Sequence, residues 1–261
     1  VLPHNTEPLQ TVTQLANLQA EMHTGMTIRC LLWVLCLLLV HTGNAQTEKE
    51  LFRRGIARLQ AKDYPGAEVD FTMVAKLNPG NDAAFFNRGV ARQYMSDHRG
   101  AIQDFTSALE IQSANPDAFL NRAISRIALE DYLGAISDLN IAIKARSKDD
   151  RFFYFRAKAK SGLQDFRGAI EDLNLALRVN SKNLTYVIER AEAYIQLKDY
   201  PSAIRDMDRL VKENPNDYSA YNARARVKLA GNNLEGACLD WSKAGELGDV
   251  NAYSMIRKYC N

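Results

Sequence analysis

A small-residue pair returns along this chain every 34 residues: Gly66-Ala67, Gly100-Ala101, Gly134-Ala135, Gly168-Ala169, Ser202-Ala203 and Gly236-Ala237. A period that holds over six copies without drift means one supersecondary unit, repeated and stacked. Each unit is too short to bury a face except against its neighbours, so a single closed core is excluded. Stacked repeats build long surfaces rather than enclosed pockets. The period therefore shifts the expected function from catalysis towards binding.

Numbered from Glu48, the repeats begin at 48, 82, 116, 150, 184 and 218. Position 8 is then always small: Gly55, Gly89, Ala123, Ala157, Ala191, Ala225. Position 20 is always Ala, and position 24 is large and apolar: Phe71, Phe105, Leu139, Leu173, Met207, Trp241. Position 4 carries Leu51, Phe85, Phe119, Phe153, Val187 and Tyr221. The spacings 4, 8 and 20, 24 are helical stripes. Small residues let two helices approach, and the large ones fill the space beside that contact.

Helix ends are legible as well. Thr47 with Glu50 reads as a capping box for the first helix. Asp63-Tyr64-Pro65 breaks that helix and starts the next, with Pro where its missing N–H costs nothing. Asn78-Pro79-Gly80-Asn81 ends the second helix, and Asp82 is expected to cap the third. The same grammar recurs at Asp131, Asp165 and Asp199 and around Asn214-Pro215-Asn216. Each unit is helix, short turn, helix.

This pattern resembles the tetratricopeptide repeat in its period, its small residue at position 8, its Ala at 20 and its large apolar residue at 24. Pro79 and Pro215 at position 32 add to the likeness, which covers residues 48–251. The resemblance implies an all-α, right-handed superhelical solenoid of six helix-turn-helix repeats with a concave inner face. The chain departs from the family at position 7, where Leu is usual and Arg stands here.

That departure is systematic. Position 7 is Arg54, Arg88, Arg122, Arg156, Arg190 and Arg224; position 23 is Asp70, Asp104, Asp138, Asp172, Asp206 and Asp240. The two positions are symmetric about the turn inside a repeat. Position 23 and the next position 7 are symmetric about the turn between repeats. The expectation is an alternating Arg–Asp ladder, each Asp between two Arg, with Lys258 filling the seventh slot. The rival reading is a row of Arg that binds acidic ligands.

After Trp241, Gly248 is expected to close one helix and Asp249 to cap another, so that residues 252–261 form a solenoid cap. This segment resembles a Sel1-like repeat. Cys238 and Cys260 lie symmetrically about Asp249 and come abreast in a hairpin. An oxidising compartment predicts a disulfide; the alternative is two buried free thiols.

The compartment is suggested by the N-terminus. Met26-Thr27-Ile28-Arg29 is a basic start, 31–40 is an apolar run, and Gly43-Asn44-Ala45 offers a cleavage site before Gln46. Residues 26–45 therefore read as a secretory signal, and 1–25 as an unstructured upstream stretch. Ten apolar residues make about 15 Å of helix against a hydrocarbon core of roughly 30 Å, which disfavours the alternative of a retained anchor. Removal after Ala45 leaves residues 46–251 as the repeat array and 252–261 as the cap, with no membrane span in the mature chain.

A net charge of +2, with acids and bases interleaved, gives no footprint for nucleic acid. With one His left and the Cys pair committed, there is no zinc set, no phosphate loop and no nucleophile motif. No metal, cofactor or catalytic residue is expected, and the chain reads as a non-enzyme. His98, in a turn, reads as a solvated side chain. The resemblance instead implies a groove lined by positions 2, 5, 6, 9 and 13 of each first helix. Here these include Phe52, Phe86, Asn87, Tyr94, Leu120, Asn121, Arg151, Tyr154 and Phe155. Aromatic rings with scattered amides and cations suit an extended or helical peptide with apolar anchors. Repeat five is more polar, so an apolar ligand is expected on repeats one to four. The family's carboxylate-binding pattern is matched only by Asn87 and Asn121, which makes that ligand class a poor fit. The reading is an exported interaction scaffold of a bacterial periplasm or envelope with a protein or peptide partner. The alternatives are an envelope subunit that works through its convex face, or an acidic-ligand binder.

Overall fold

The computed structural model describes residues 46–260, so the expected upstream stretch, export signal and cleavage site lie outside the described residues. The described residues are all-α, in thirteen helices and no strand, a helical-repeat fold. They form two compact units, 46–79 and 80–260.

The first unit is one hairpin. Its first helix, α1, covers 46–60, and α2 covers Tyr64–Leu77. Thr47 lies within the helix-assigned residues of α1. Asp63 caps α2, accepting from the Gly66 N–H at 3.0 Å, with Pro65 in the first turn. Phe52 packs edge-on against Phe71, ring centroids 5.5 Å apart.

The second unit continues the alternation. Its first helices are α3 (Asp82–Tyr94), α5 (Pro116–Ala128), α7 (Asp150–Gly162), α9 (Leu184–Gln196) and α11 (Tyr218–Ala230). Its second helices are α4 (His98–Ile111), α6 (Tyr132–Ala145), α8 (Phe166–Val179), α10 (Tyr200–Glu213) and α12 (Leu234–Glu246). The cap is α13, Val250–Tyr259, which starts two residues before the sequence boundary because Asp249 takes the N-cap. Every first helix of this unit begins at the residue where the repeat count begins. The cap of α3 is Asn81 rather than Asp82, accepting from Ala84 N–H at 3.0 Å. Second helices are capped by Asp97, Asp131, Asp165, Asp199 and Asn233, each bonding the N–H three residues on. That third residue is Gly in four of these five, since the cap carboxylate or amide lies where a side chain would begin.

The core follows the stripes. Ala at position 20 and the large residue at 24 are buried in every repeat. Where position 24 is Phe, position 8 is Gly; where it is Leu, Met or Trp, position 8 is Ala. The reason is steric: a Cβ on Gly89 would sit 2.8 Å from the Phe105 ring. Gly89→Ala is therefore expected to destabilise by about 1–3 kcal/mol through overpacking. Adding Phe105→Leu recreates the Ala123–Leu139 pair of the next repeat and should recover most of the loss. Urea midpoints of both singles and the double test this; simple additivity would refute the coupling.

The turn inside every repeat places a non-Gly residue in the left-handed region: Lys62, Ser96, Glu130, Gln164, Lys198 and Asn232, all near φ 60°. Gly248, at φ 101°, ends α12 as expected. Cys238 and Cys260 form a disulfide with Cα atoms 5.9 Å apart, fastening α13 to α12. Trp241, fully buried, stacks on Tyr259 of the cap at 5.7 Å. Among the described residues, no helix is long and apolar enough to cross a membrane.

Candidate functional site

Two arrangements bear on function: the Arg–Asp series and the first-helix face. In all six repeats the Arg at position 7 forks onto its own Asp at position 23. Arg122 is representative, with Nε to Asp138 at 2.9 Å and Nη2 at 2.7 Å. The pairs Arg54–Asp70, Arg88–Asp104, Arg156–Asp172, Arg190–Asp206 and Arg224–Asp240 repeat the geometry. All six Asp are buried. Hydrogen bonding from Arg54 holds the Asp70 carboxyl below the usual range, against the opposing effect of burial. The Arg190 and Arg224 guanidiniums are pushed up by their Asp partners.

The expected link to the next repeat takes a different form. In five of the six repeats a second cation on the Asp comes from position 11 of the same repeat: Arg58, Arg92, Arg126, Lys160 and Lys228, at 2.7–3.0 Å. The next repeat's Arg reaches position 25 instead. Arg122 donates to Thr106, Arg156 to Asn140, Arg190 to Asn174, and Arg224 to Asp208. The cause is helical geometry: at about 100° per residue, position 25 lies on nearly the opposite side of the second helix from position 23. Position 23 faces its own hairpin partner, and position 25 faces the next repeat. Lys258 does not fill a seventh slot. Its ammonium lies over the Tyr259 ring at 4.8 Å, and Asp240 is served by Lys228.

Each Arg also lies over the ring at position 4 where one is present nearby: Phe85, Phe119, Phe153 and Tyr221, at 5.3–5.8 Å. Repeat five breaks the pattern twice, with Val187 at position 4 and Tyr194 at position 11, which leaves Asp206 one cation.

The first-helix face is continuous in the second unit. Gln93 of α3 donates to the Asn121 carbonyl and the Ser125 hydroxyl of α5, both at 3.0 Å. Tyr154 of α7 packs on Tyr186 of α9 at 4.9 Å and on Phe155 at 5.0 Å. Asn222 of α11 donates to Asp249 at the cap at 2.7 Å.

Of the nine expected groove residues, Phe52 lies in the first unit and the others in the second. Tyr94 stands 65% exposed. Phe86 and Phe155 are half-buried, Phe86 against Phe105 at 5.7 Å. Leu120, at 2% exposure, is core and offers no contact surface. Asn87 and Asn121 turn their amides back onto their own helices, donating to the Ala83 and Asp117 carbonyls at 2.7 and 2.8 Å. Arg151 is committed to carboxylates, bonding Asp149 at 2.7 Å and Asp117 at 3.0 Å. Its hydrogen bond holds the Asp149 carboxyl low. Tyr154 donates to Glu189, and burial, chiefly, pushes its phenol up to about 12. His98 opens α4 and is half-buried, with Nδ1 shielded from solvent and without a hydrogen-bond partner.

Helix hairpins repeated in this way define an all-α helical-repeat protein. Within it, residues 154–217 and 188–244 match the family profile described as a tetratricopeptide repeat. No curated protein matches the chain. Among solved structures, a tetratricopeptide repeat protein from Parabacteroides merdae is similar at TM-score 0.62 and 22% identity, over 83% of this chain and 100% of that one. The Pseudomonas aeruginosa pilF protein is similar at TM-score 0.64 and 16% identity, over 83% and 99%. YrrB, described as a TPR protein with an unusual peptide-binding site, is similar at TM-score 0.59 and 17% identity, over 72% and 97%. These likenesses show the shared fold.

Proposed function

We propose that this chain is an exported, non-catalytic interaction scaffold that holds a peptide or protein segment on the first-helix face of its repeats. Tetratricopeptide proteins bind protein or peptide partners, and a similar fold in YrrB carries a peptide-binding site. The observation that carries the reading is exposure of large side chains on that face, with Tyr94 at 65% and Ile188 at 45%. Export is supported by the apolar run at 31–40 followed by small residues at a cleavage site, and the disulfide suits an oxidising compartment. A bacterial periplasm or envelope is the setting this combination fits.

A specific observation supports a second reading, in which the second helices make the contact: Leu133 and Leu239 stand 71% and 66% exposed there. The acidic-ligand reading loses its support, because every Arg of the series is forked onto an Asp.

Crosslinking capture from the native source separates the two faces. The full chain serves as bait beside Tyr94→Ser/Ile188→Ser and Leu133→Ser/Leu239→Ser. A partner lost with the first pair and kept with the second is the expected result. The reverse would move the site to the second helices.

A further inference from the structure

The six repeats are internal controls for one another: what all share serves the fold, and what one copy alone carries calls for another reason. Repeat five alone has acids at positions 6 and 9 of its first helix, Glu189 and Glu192. They stand three residues apart, on one face of α9. Neither has a cationic partner among the described residues. Glu189 accepts from the Tyr154 hydroxyl and Glu192 from the Gln196 amide, both at 3.4 Å. The cations on the flanking first helices are engaged elsewhere. Lys158 of α7 lies over the Tyr154 ring at 5.8 Å, and Arg226 of α11 donates to the Asn222 carbonyl at 3.3 Å.

Two cavities meet at Glu192. One, of about 330 Å³, lies between α7 and α9 and is lined by Glu189, Glu192, Gln196 and Ser161. The other, of about 380 Å³, lies among α9, α10 and α11 and is mainly aliphatic, lined by Ile188, Ile195, Met207 and Val227 together with Glu192 and Arg226. The sequence expectation placed an apolar ligand on repeats one to four; the structure puts this aliphatic cavity at repeats five and six. An unneutralised acidic subsite beside an aliphatic one has a definite complement. A basic side chain meets the carboxylates while a branched aliphatic side chain fills the cavity next to it.

We infer that α9 and its neighbours bind an extended peptide segment in which a Lys or Arg lies within a few residues of an Ile or Leu. This deepens the scaffold reading and rests on it. The basic residue supplies orientation and charge; the aliphatic residue supplies the buried anchor. In an extended segment, side chains two apart share a face, which suits two adjoining cavities.

The test uses the full chain on an array of blocked peptides, in which one basic and one aliphatic residue are set at every spacing from one to four. Acidic–aliphatic and neutral–aliphatic sets serve as comparators. The wild type is expected to select the basic–aliphatic set, with binding that weakens as salt rises. Glu189→Gln/Glu192→Gln should bind that set roughly tenfold more weakly and lose most of the salt dependence, the effect of one or two charge-assisted hydrogen bonds. Glu189→Lys/Glu192→Lys should turn the preference to the acidic set, which a general loss of folding would not do. Selection of acidic peptides by the wild type would overturn the proposal in favour of Arg226. Basic–aliphatic binding unchanged in the Gln variant would place that site elsewhere while leaving the scaffold reading intact. Binding of no peptide on the array would overturn both.

Discussion

Asp138→Ala is expected to destabilise the protein by about 3–5 kcal/mol, the loss typical of removing one partner from a buried ion pair. Asp138 is 2% exposed and accepts three hydrogen bonds, two from Arg122 and one from Arg126. Both guanidiniums are largely covered, at 13% and 22% side-chain exposure. Deleting the carboxylate takes the shared counter-ion from two largely covered guanidiniums, leaving Arg122 only the Thr106 hydroxyl and Arg126 only the Gly134 carbonyl and the more distant Asp131. Asp206 provides the contrast. It has one cation, Arg190, because Tyr194 stands where the other repeats carry Arg or Lys. Asp206→Ala should therefore cost measurably less than Asp138→Ala. Urea unfolding of the two variants reads both numbers. A change near zero at Asp138 would show that the series is solvated in practice; equal losses would show that the second cation contributes nothing. Replacing Asp138, Arg122 and Arg126 together by apolar residues of similar volume should restore much of the stability, since such swaps are often neutral.

Breaking the Cys238–Cys260 bridge is expected to cost about 3 kcal/mol at the C-terminal end, the loop-entropy value for a separation of 22 residues. The loss should be local, because terminal repeats of a stacked array have one neighbour instead of two. Trp241 reports it directly. The indole is 1% exposed and stacked on Tyr259 of the cap, so release of α13 opens it to water. With Trp33→Phe removing the other indole of the chain, Cys238→Ser/Cys260→Ser should shift the emission to longer wavelength at a lower urea concentration than the bridged protein. The main helical transition, followed by circular dichroism, should move less. Coincident shifts of both signals would mean that the cap is not a separate cooperative segment.

Most of the fold was legible because a helical repeat is specified locally. Six in-phase copies of Gly/Ala at position 8, Ala at 20 and a large residue at 24 give the helix pairs and the face each pair buries. Asp at position 16, replaced by Asn233 in the last copy, gives the starts of the second helices. None of these depends on a contact distant in sequence. The errors fell where two helical faces had to be told apart. The sequence placed position 23 against the next repeat as well as its own, but the helix turns that carboxylate inward and offers position 25 outward. The cation at position 11 had a readable signal: one turn after the Arg, five copies of six are Arg or Lys. The cap bridge was legible for the same local reason as the turns, since α12 and α13 form a short hairpin.

The candidate site was legible only in outline. Sequence marked the first-helix face, but Leu120, Asn87, Asn121 and Arg151 are spent on packing or on internal hydrogen bonds and ion pairs. No periodicity distinguishes a side chain that faces the solvent from one that folds back on its own helix. Conversely, Glu189 and Glu192 were visible as the acids of repeat five. Their aliphatic neighbour cavity was not, because Ile188, Met207 and Val227 come from three helices. The sequence by itself determined the repeat, its helices and its core, because each is set by stripes within about 34 residues. Only the tertiary structure decided which charges are neutralised, which rings are covered and where two cavities meet, because those depend on how neighbouring helices present their faces to one another.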